Sequence, residues 1–232
     1  MISGRRMGRS LALAGSLGWL IVALSAQEIG MADESGLVNK SSVQQSAPGG
    51  APQTAADFWL IDDFSDVPRS RLGTQWRAVS DQVMGGVSSA RMLQQPLDGR
   101  KALCLEGEVS LENNGGFAQI NLDLAADGPL DASDYQGVRL IQRGNGADYS
   151  LHLKTRSTRL PWQSYRAGFT STSAWTEVRL PFAAFEPHRI GQPLDPAQLK
   201  RLGLVAIGRA MSAEVCMAEI GFYRAAEDGG AQ

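Results

Sequence analysis

Two histidines, two cysteines and a few adjacent acids are the residues through which this chain could do covalent or acid–base chemistry. A nucleophilic site needs Ser or Cys beside a base. His152, in YSLHLKT, and His188, in EPHRIGQP, both stand apart from any G-x-S-x-G turn. His152 therefore reads as an exposed strand residue and His188 as a solvated loop residue. Asp62-Asp63 is the best carboxylate pair by proximity, but adjacent strand residues point to opposite faces and cannot flank one glycosidic bond. Asp131 and Asp134 fit an Asx-type turn better than a calcium loop. Cys104 and Cys216 form no C-x-x-C or Cys–His pattern, so neither a zinc site nor a redox motif is expected. They read as two buried thiols, with a long-range disulfide as the alternative. The glycine clusters at 84–86, 113–116 and 143–146 lack the Lys-Ser/Thr and helix of a phosphate loop, so they read as turns needing positive φ. No catalytic residue, metal or cofactor is expected.

What remains is suited to binding. Asp81, Gln82, Ser88, Asn113, Asn114, Arg143, Asn145, Arg156, Trp162 and Gln163 lie in or beside turns, with Ser80 and Tyr165 as neighbours. Loops at the end of a sandwich commonly present a ligand or partner face, and Trp beside Arg and Gln suits either a sugar ring or a protein hot spot. Alternatively, Trp162 covers an edge of the core.

The elements that must position these residues are strands. From Phe58 onward, short runs of alternating or β-branched and aromatic residues are broken by Gly, Asn, Asp or Pro every 8–12 positions, the rhythm of a sandwich or barrel. In FAQINLDL the inward set is Ala118, Ile120, Leu122 and Leu124. In YSLHLKT it is Tyr149, Leu151 and Leu153, with His152 and Lys154 opposite. In WTEVRLPF it is Thr176, Val178, Leu180 and Phe182. About ten or eleven strands result, consistent with two packed antiparallel sheets. The one helix expected is a short turn opened by Asp195 as N-cap before Pro196, running through Lys200.

Residues 1–26 are a basic start followed by the 14-residue apolar stretch LALAGSLGWLIVAL and small residues Ala23-Leu24-Ser25-Ala26, the pattern of a secretory signal peptide. The stretch is shorter than the ~20 residues of a membrane span, so the mature chain is expected to carry none and to be exported to the periplasm or beyond, with a retained membrane anchor as the alternative. Residues 27–56, rich in Ser, Gln, Ala, Gly and Pro, read as a disordered linker, 57–225 as the folded domain and 226–232 as a flexible tail. Removing Arg5, Arg6 and Arg9 with the leader takes the net charge from −2 to −5. A mildly acidic surface does not attract a phosphate backbone, so a nucleic-acid partner is not expected.

Taken in order, WRAVSDQVMGGVS (76–88), GEVSLENNGGFAQI (107–120), DYQGVRLIQRGNGADYSLHLKT (134–155), WQSYRAGF (162–169), WTEVRLPFAAFEP (175–187) and the closing AEIGFY resemble the complex I intermediate-associated protein 30 family over roughly residues 58–223. The positions that carry the pattern are Trp76, Asp81, Gly85, Gly86, Ser88, Gly115, Gly116, Phe117, Tyr149 and Trp175. The resemblance implies a galactose-binding-like jelly-roll fold and a non-enzymatic role. Mitochondrial members are assembly chaperones that associate with intermediates of NADH:ubiquinone oxidoreductase. It thus implies a protein partner, with membrane subunits of a respiratory complex as the first expectation. The alternative is an exported carbohydrate-binding module. Mitochondrial assembly proceeds from the matrix side, the counterpart of the bacterial cytoplasm, which an exported chain does not reach.

Overall fold

The structure is a computed structural model that describes residues 57–224. The readings of 1–26, 27–56 and 226–232 lie outside the described residues. The strands are β1 (Phe58–Asp62), β2 (Trp76–Ser80), β3 (Arg91–Leu97), β4 (Arg100–Val109), β5 (Phe117–Asp123), β6 (Gly137–Gly144), β7 (Asp148–Thr155), β8 (Ser164–Thr170), β9 (Thr176–Pro181), β10 (Glu186–His188), β11 (Leu199–Ile207) and β12 (Met211–Tyr223). One sheet runs β3-β4-β12-β6-β9, with β1 also paired to β12; the other runs β10-β8-β7-β11-β5-β2. The recorded pairings are antiparallel. The chain is thus an all-β jelly-roll sandwich.

Hydrophobic alternation sets the register. Leu204 lies opposite Leu151 on one side and Ile120 on the other, while Leu202 lies opposite Leu153 and Leu122. All six are fully buried. A one-residue slip would turn each of these leucines and the isoleucine to the opposite face. The thirteen-residue β12 is the spine of the first sheet: its first part pairs with β4 and its last part with β1, while β6 follows its other side. Near the start of the domain, Trp76 packs on Phe64 and donates from Nε1 to the buried Asp62 carboxylate at 2.8 Å. Asp62 also accepts from the Phe64 amide at 3.0 Å, whereas Asp63 turns outward to Arg71. The pair points apart, as strand parity requires. Burial pushes the Asp62 carboxyl above the usual carboxylate range despite those hydrogen bonds.

Three expectations need correction. β10 forms where a loop was expected around His188, because three residues are too few for alternation to show and its pairing is with β8, far away in sequence. Thr176 is exposed, at the start of edge strand β9. The Asp195 cap is present and accepts from the Ala197 amide at 3.0 Å, but the 3-10 turn is only Pro196–Gln198; Leu199 and Lys200 already belong to β11. Three further 3-10 turns, Asp81–Met84, Glu112–Asn114 and Phe182–Ala184, had no periodicity to announce them.

Candidate functional site

The segment after β2 begins with Ser80, whose side chain accepts from the Gln82 amide, and continues as the turn Asp81–Met84. Gly85 closes it with φ 90°, a left-handed conformation that glycine adopts without steric cost. The Asp81 carboxylate folds back into this loop and out to the connection between β4 and β5. It accepts from the Ser88 amide at 2.9 Å, the Ser88 hydroxyl, the Gly116 amide at 2.5 Å and the Phe117 amide at 3.2 Å. Burial alone would raise its pKa, but the bonds from Ser88, Gly116 and Phe117 outweigh that and hold the carboxyl below its ordinary value. Gly86 and Gly115 are glycines because this carboxylate leaves no room. A Cβ on either would stand 2.3 Å from Oδ1 or 2.5 Å from Oδ2.

Asp81 and Ser88 therefore leave the candidate binding surface: both are 0 % exposed and serve as a staple between two loops. What the stapled loops display is apolar. Val83, Met84, Val87 and Leu111 are 72, 61, 47 and 54 % exposed, with Gln82, Asn113 and Asn114 exposed beside them. Asn113 and Asn114 are both left-handed, at φ 55° and 57°. The turn signals of MGG and NNGG were legible in sequence; the apolar tip they carry was missed, because no local pattern tells an exposed Val or Met from a buried one.

Arg143 and Asn145 are committed to structure. Asn145 accepts the Tyr149 hydroxyl proton at 2.9 Å and donates to the Ser212 carbonyl at 3.0 Å, while the same hydroxyl accepts from the Glu214 amide at 2.8 Å. Arg143 pairs with Asp98 and lies 5.9 Å over the Trp175 ring. Trp175 in turn covers Cys104 and Cys216, which are joined by a disulfide between opposed positions of β4 and β12.

Gln163 braces the loop before β8, accepting from the Arg159 and Leu160 amides at 2.9 and 3.1 Å and donating to the Arg189 carbonyl at 3.1 Å. Lys154 reaches the Pro161 carbonyl at 2.6 Å. Between these anchors Trp162 stands 54 % exposed, so it does not cover a core edge; Arg156 is exposed nearby in sequence, and Tyr165 is buried. The loop borders the outer face of the second sheet, where Arg166, His152, Gly203, Asn121 and Arg77 occupy one row across β8, β7, β11, β5 and β2. That face is recessed: Asn121, Ser164 and Val205 point away from the core yet are 5, 3 and 1 % exposed. Alternation had placed His152 on this face but gave no sign of the recess.

His152 is accordingly not an exposed strand residue. Its Nε2 is buried without a partner, and its pKa is lowered to about 3 by burial first and then by Arg166, His188 and Lys154. A folded pKa below the unfolded value of 6.5 means that the unfolded chain binds the extra proton between the two, so stability falls as pH drops through that window. Domain stability should decline by on the order of 1–2 kcal/mol between pH 7 and pH 5. His188, also lowered by burial and by Arg166 and Arg189, adds to the same trend. In urea titrations at the two pH values, His152→Gln should remove most of the decline; an unchanged decline would assign it elsewhere.

Among the described residues are two open depressions, one of about 590 Å³ along β3, β4 and β12, whose Ser212 and Glu214 accept from Asn145, and one of about 410 Å³ around Phe182, Phe185, Pro193 and Leu194. The sandwich fold is similar to that of known modules. The domain is similar to a family 11 carbohydrate-binding module of Clostridium thermocellum, solved in complex with a β-1,3-1,4-mixed-linked tetrasaccharide, at TM-score 0.59 and 14 % identity over 75 % of this chain and 99 % of that one. It is also similar to the family 30 module of cellulosomal cellulase Cel9D-Cel44B of the same organism, at TM-score 0.51 and 16 % identity over 73 % and 98 %. These likenesses establish the galactose-binding-like fold. A search of curated proteins returned no match. The model of complex I intermediate-associated protein 30 matches residues 66–215, a span that contains the Asp81 staple and both of its loops. The chain belongs to that family.

Proposed function

We propose that this protein is a non-enzymatic, assembly-factor-like binding protein that grips a protein partner through the tip formed by Val83, Met84, Val87 and Leu111. The observation that carries the reading is the exposure of four apolar side chains on loops stapled by a buried carboxylate. A pre-organised apolar tip loses little conformational entropy on docking, and desolvated apolar contacts supply most binding energy at such anchors. Family membership suggests membrane subunits of a respiratory complex as partner, met on the exported side if residues 1–26 direct export. Full-length tagged protein, expressed in its own host and crosslinked in intact cells, should capture subunits of NADH:ubiquinone oxidoreductase. Val83→Ser with Met84→Ser should reduce that capture at least tenfold while the melting temperature holds. Undiminished capture by the double variant, or recovery of no such subunit, would refute the reading.

A second reading, an exported carbohydrate-binding module, is favoured by one observation: Trp162 stands exposed beside the recessed polar face of the second sheet. An indole offers an apolar plane to a sugar ring, while amides and hydroxyls below it bond the sugar's hydroxyls.

A further inference from the structure

The outer face of the second sheet carries more positive charge than the overall composition suggests. Arg166 and His152 face each other across β8 and β7; Lys154 follows two residues along β7, and Arg201 pairs across from it on β11. His188 and Arg189 arrive from β10 and the loop after it, which Gln163 fastens to the Trp162 loop. Among the described residues, Lys154, Arg166 and Arg189 have no carboxylate within 4.0 Å, in a chain whose net charge is −2. The nearby acids are otherwise placed. Asp123 is shared by Arg201 and Arg77, and Glu186, opposite Arg166 on β10, is exposed without an ion pair.

Uncompensated cations crowd one another here. Burial and Arg189 lower the pKa of Arg166; burial, Arg201 and Arg166 lower that of Lys154. An arriving anion would relieve this repulsion. Gly203 puts no side chain between His152 and Asn121 on the floor of this face, where a built Cβ would meet Asn121 and Gln119 at 3.5 Å, an ordinary contact. Beside it, the unpartnered Nε2 of His152 and the amides of Asn121 and Gln119 offer neutral hydrogen-bonding groups. At the rim stands the exposed indole of Trp162.

Resting on the carbohydrate reading, we propose that this face binds an acidic saccharide, with the carboxylate of a uronate held by Arg166 together with Lys154 or Arg189, and the sugar ring against Trp162. A guanidinium matches a carboxylate in two parallel hydrogen bonds, and the amides and imidazole supply contacts for ring hydroxyls. A neutral glycan would leave the cations unpaired and gain less.

The test is affinity electrophoresis and calorimetry of the full-length chain with polygalacturonate, its fully methyl-esterified form, a mixed-linked β-glucan and inorganic phosphate. Polygalacturonate should bind, and esterification should weaken it at least tenfold. Arg166→Met should cost at least tenfold and Trp162→Ala several-fold, whereas Arg100→Met, on β4 of the other sheet, should bind as the parent does. Equal binding of the neutral β-glucan would overturn the acidic assignment while leaving the carbohydrate reading intact. Binding of no glycan would overturn both. Phosphate binding as tightly as polygalacturonate would mark a simple anion site and overturn the saccharide assignment, as would an Arg166→Met variant of undiminished affinity.

Discussion

Replacing Asp81 by alanine is expected to lower domain stability by about 3 kcal/mol, because at least three buried donors lose their acceptor, at ~1–3 kcal/mol each, with water recovering part of the loss. Those donors are the amides of Ser88, Gly116 and Phe117; the Ser88 hydroxyl retains the Ser110 carbonyl at 3.2 Å as an alternative. The urea midpoint should fall by roughly 1–2 M with the slope unchanged. Gly86→Ala should cost a comparable amount in the parent, since its Cβ would stand 2.3 Å from Oδ1. Once Asp81 is alanine, the carboxylate is gone and only the Cβ of residue 81, 2.8 Å away, still crowds the new methyl, so the same glycine substitution should cost less. The double-mutant cycle therefore has a defined sign, sub-additivity. Simple additivity would show that Gly86 is constrained by something other than the Asp81 carboxylate. Because the folded pKa of Asp81 is lowered, its contribution is fully present above the ordinary carboxyl range and is lost only as pH falls through the folded value. That loss begins only near the ordinary carboxyl value, at the acid end of the window in which His152 acts, so the decline between pH 7 and pH 5 belongs to His152 and not to Asp81. Loosening the staple should also weaken any partner captured by the tip, which links this stability prediction to the proposed function.

The contrast between Asp81 and Trp162 shows what the sequence makes legible. Alternation in β5 and β7 identified the inward-facing residues, because parity along one strand is a local property and the apolar set repeats every second position. Turn chemistry was local too, so Gly85, Gly116 and the Asp195 cap were readable. Asp81 was singled out as part of a pattern and assigned to a surface, because its acceptor role depends on Gly116 and Phe117, 35 and 36 residues away. Arg166 and Asn121 went unnamed for the same reason. Each is an ordinary polar residue on an outward face, and only the strand order β8-β7-β11-β5 brings them into one row with His152. Trp162 was named from type alone, and its exposure depends on Gln163 and Lys154 bracing the loop around it. Composition concealed the cationic face, since a net charge reports a sum while binding depends on distribution.

Parity also explains the cysteines and leads to the second large effect. Leu103, Leu105, Val215 and Met217 face the core, so Cys104 and Cys216 face outward from the first sheet, under Trp175, Leu93 and Leu97. That β4 and β12 are neighbours with Cys104 opposite Cys216 is a long-range fact that no local pattern discloses. The bond closes a sequence separation of 112 residues. Loop-closure entropy for a ring of that size corresponds to an upper value of about 5 kcal/mol, with measured disulfides commonly giving ~2–4 kcal/mol. Reduction, or Cys104→Ala with Cys216→Ala, should therefore lower the melting temperature by about 10 °C, taking ~3 °C per kcal/mol for a domain of this size. Calorimetry with and without reductant measures it, and equal melting temperatures would remove the bond's structural role. Thiol titration of protein taken from its own host adds a separate test. Disulfides persist in oxidising compartments and are rare in the cytosol. Absence of titratable thiols would agree with export through residues 1–26, and with a partner or glycan met outside the cytoplasm. Two free thiols per chain would place the protein in a reducing compartment, where an extracellular glycan is out of reach and assembly from the cytoplasmic side becomes the consistent reading.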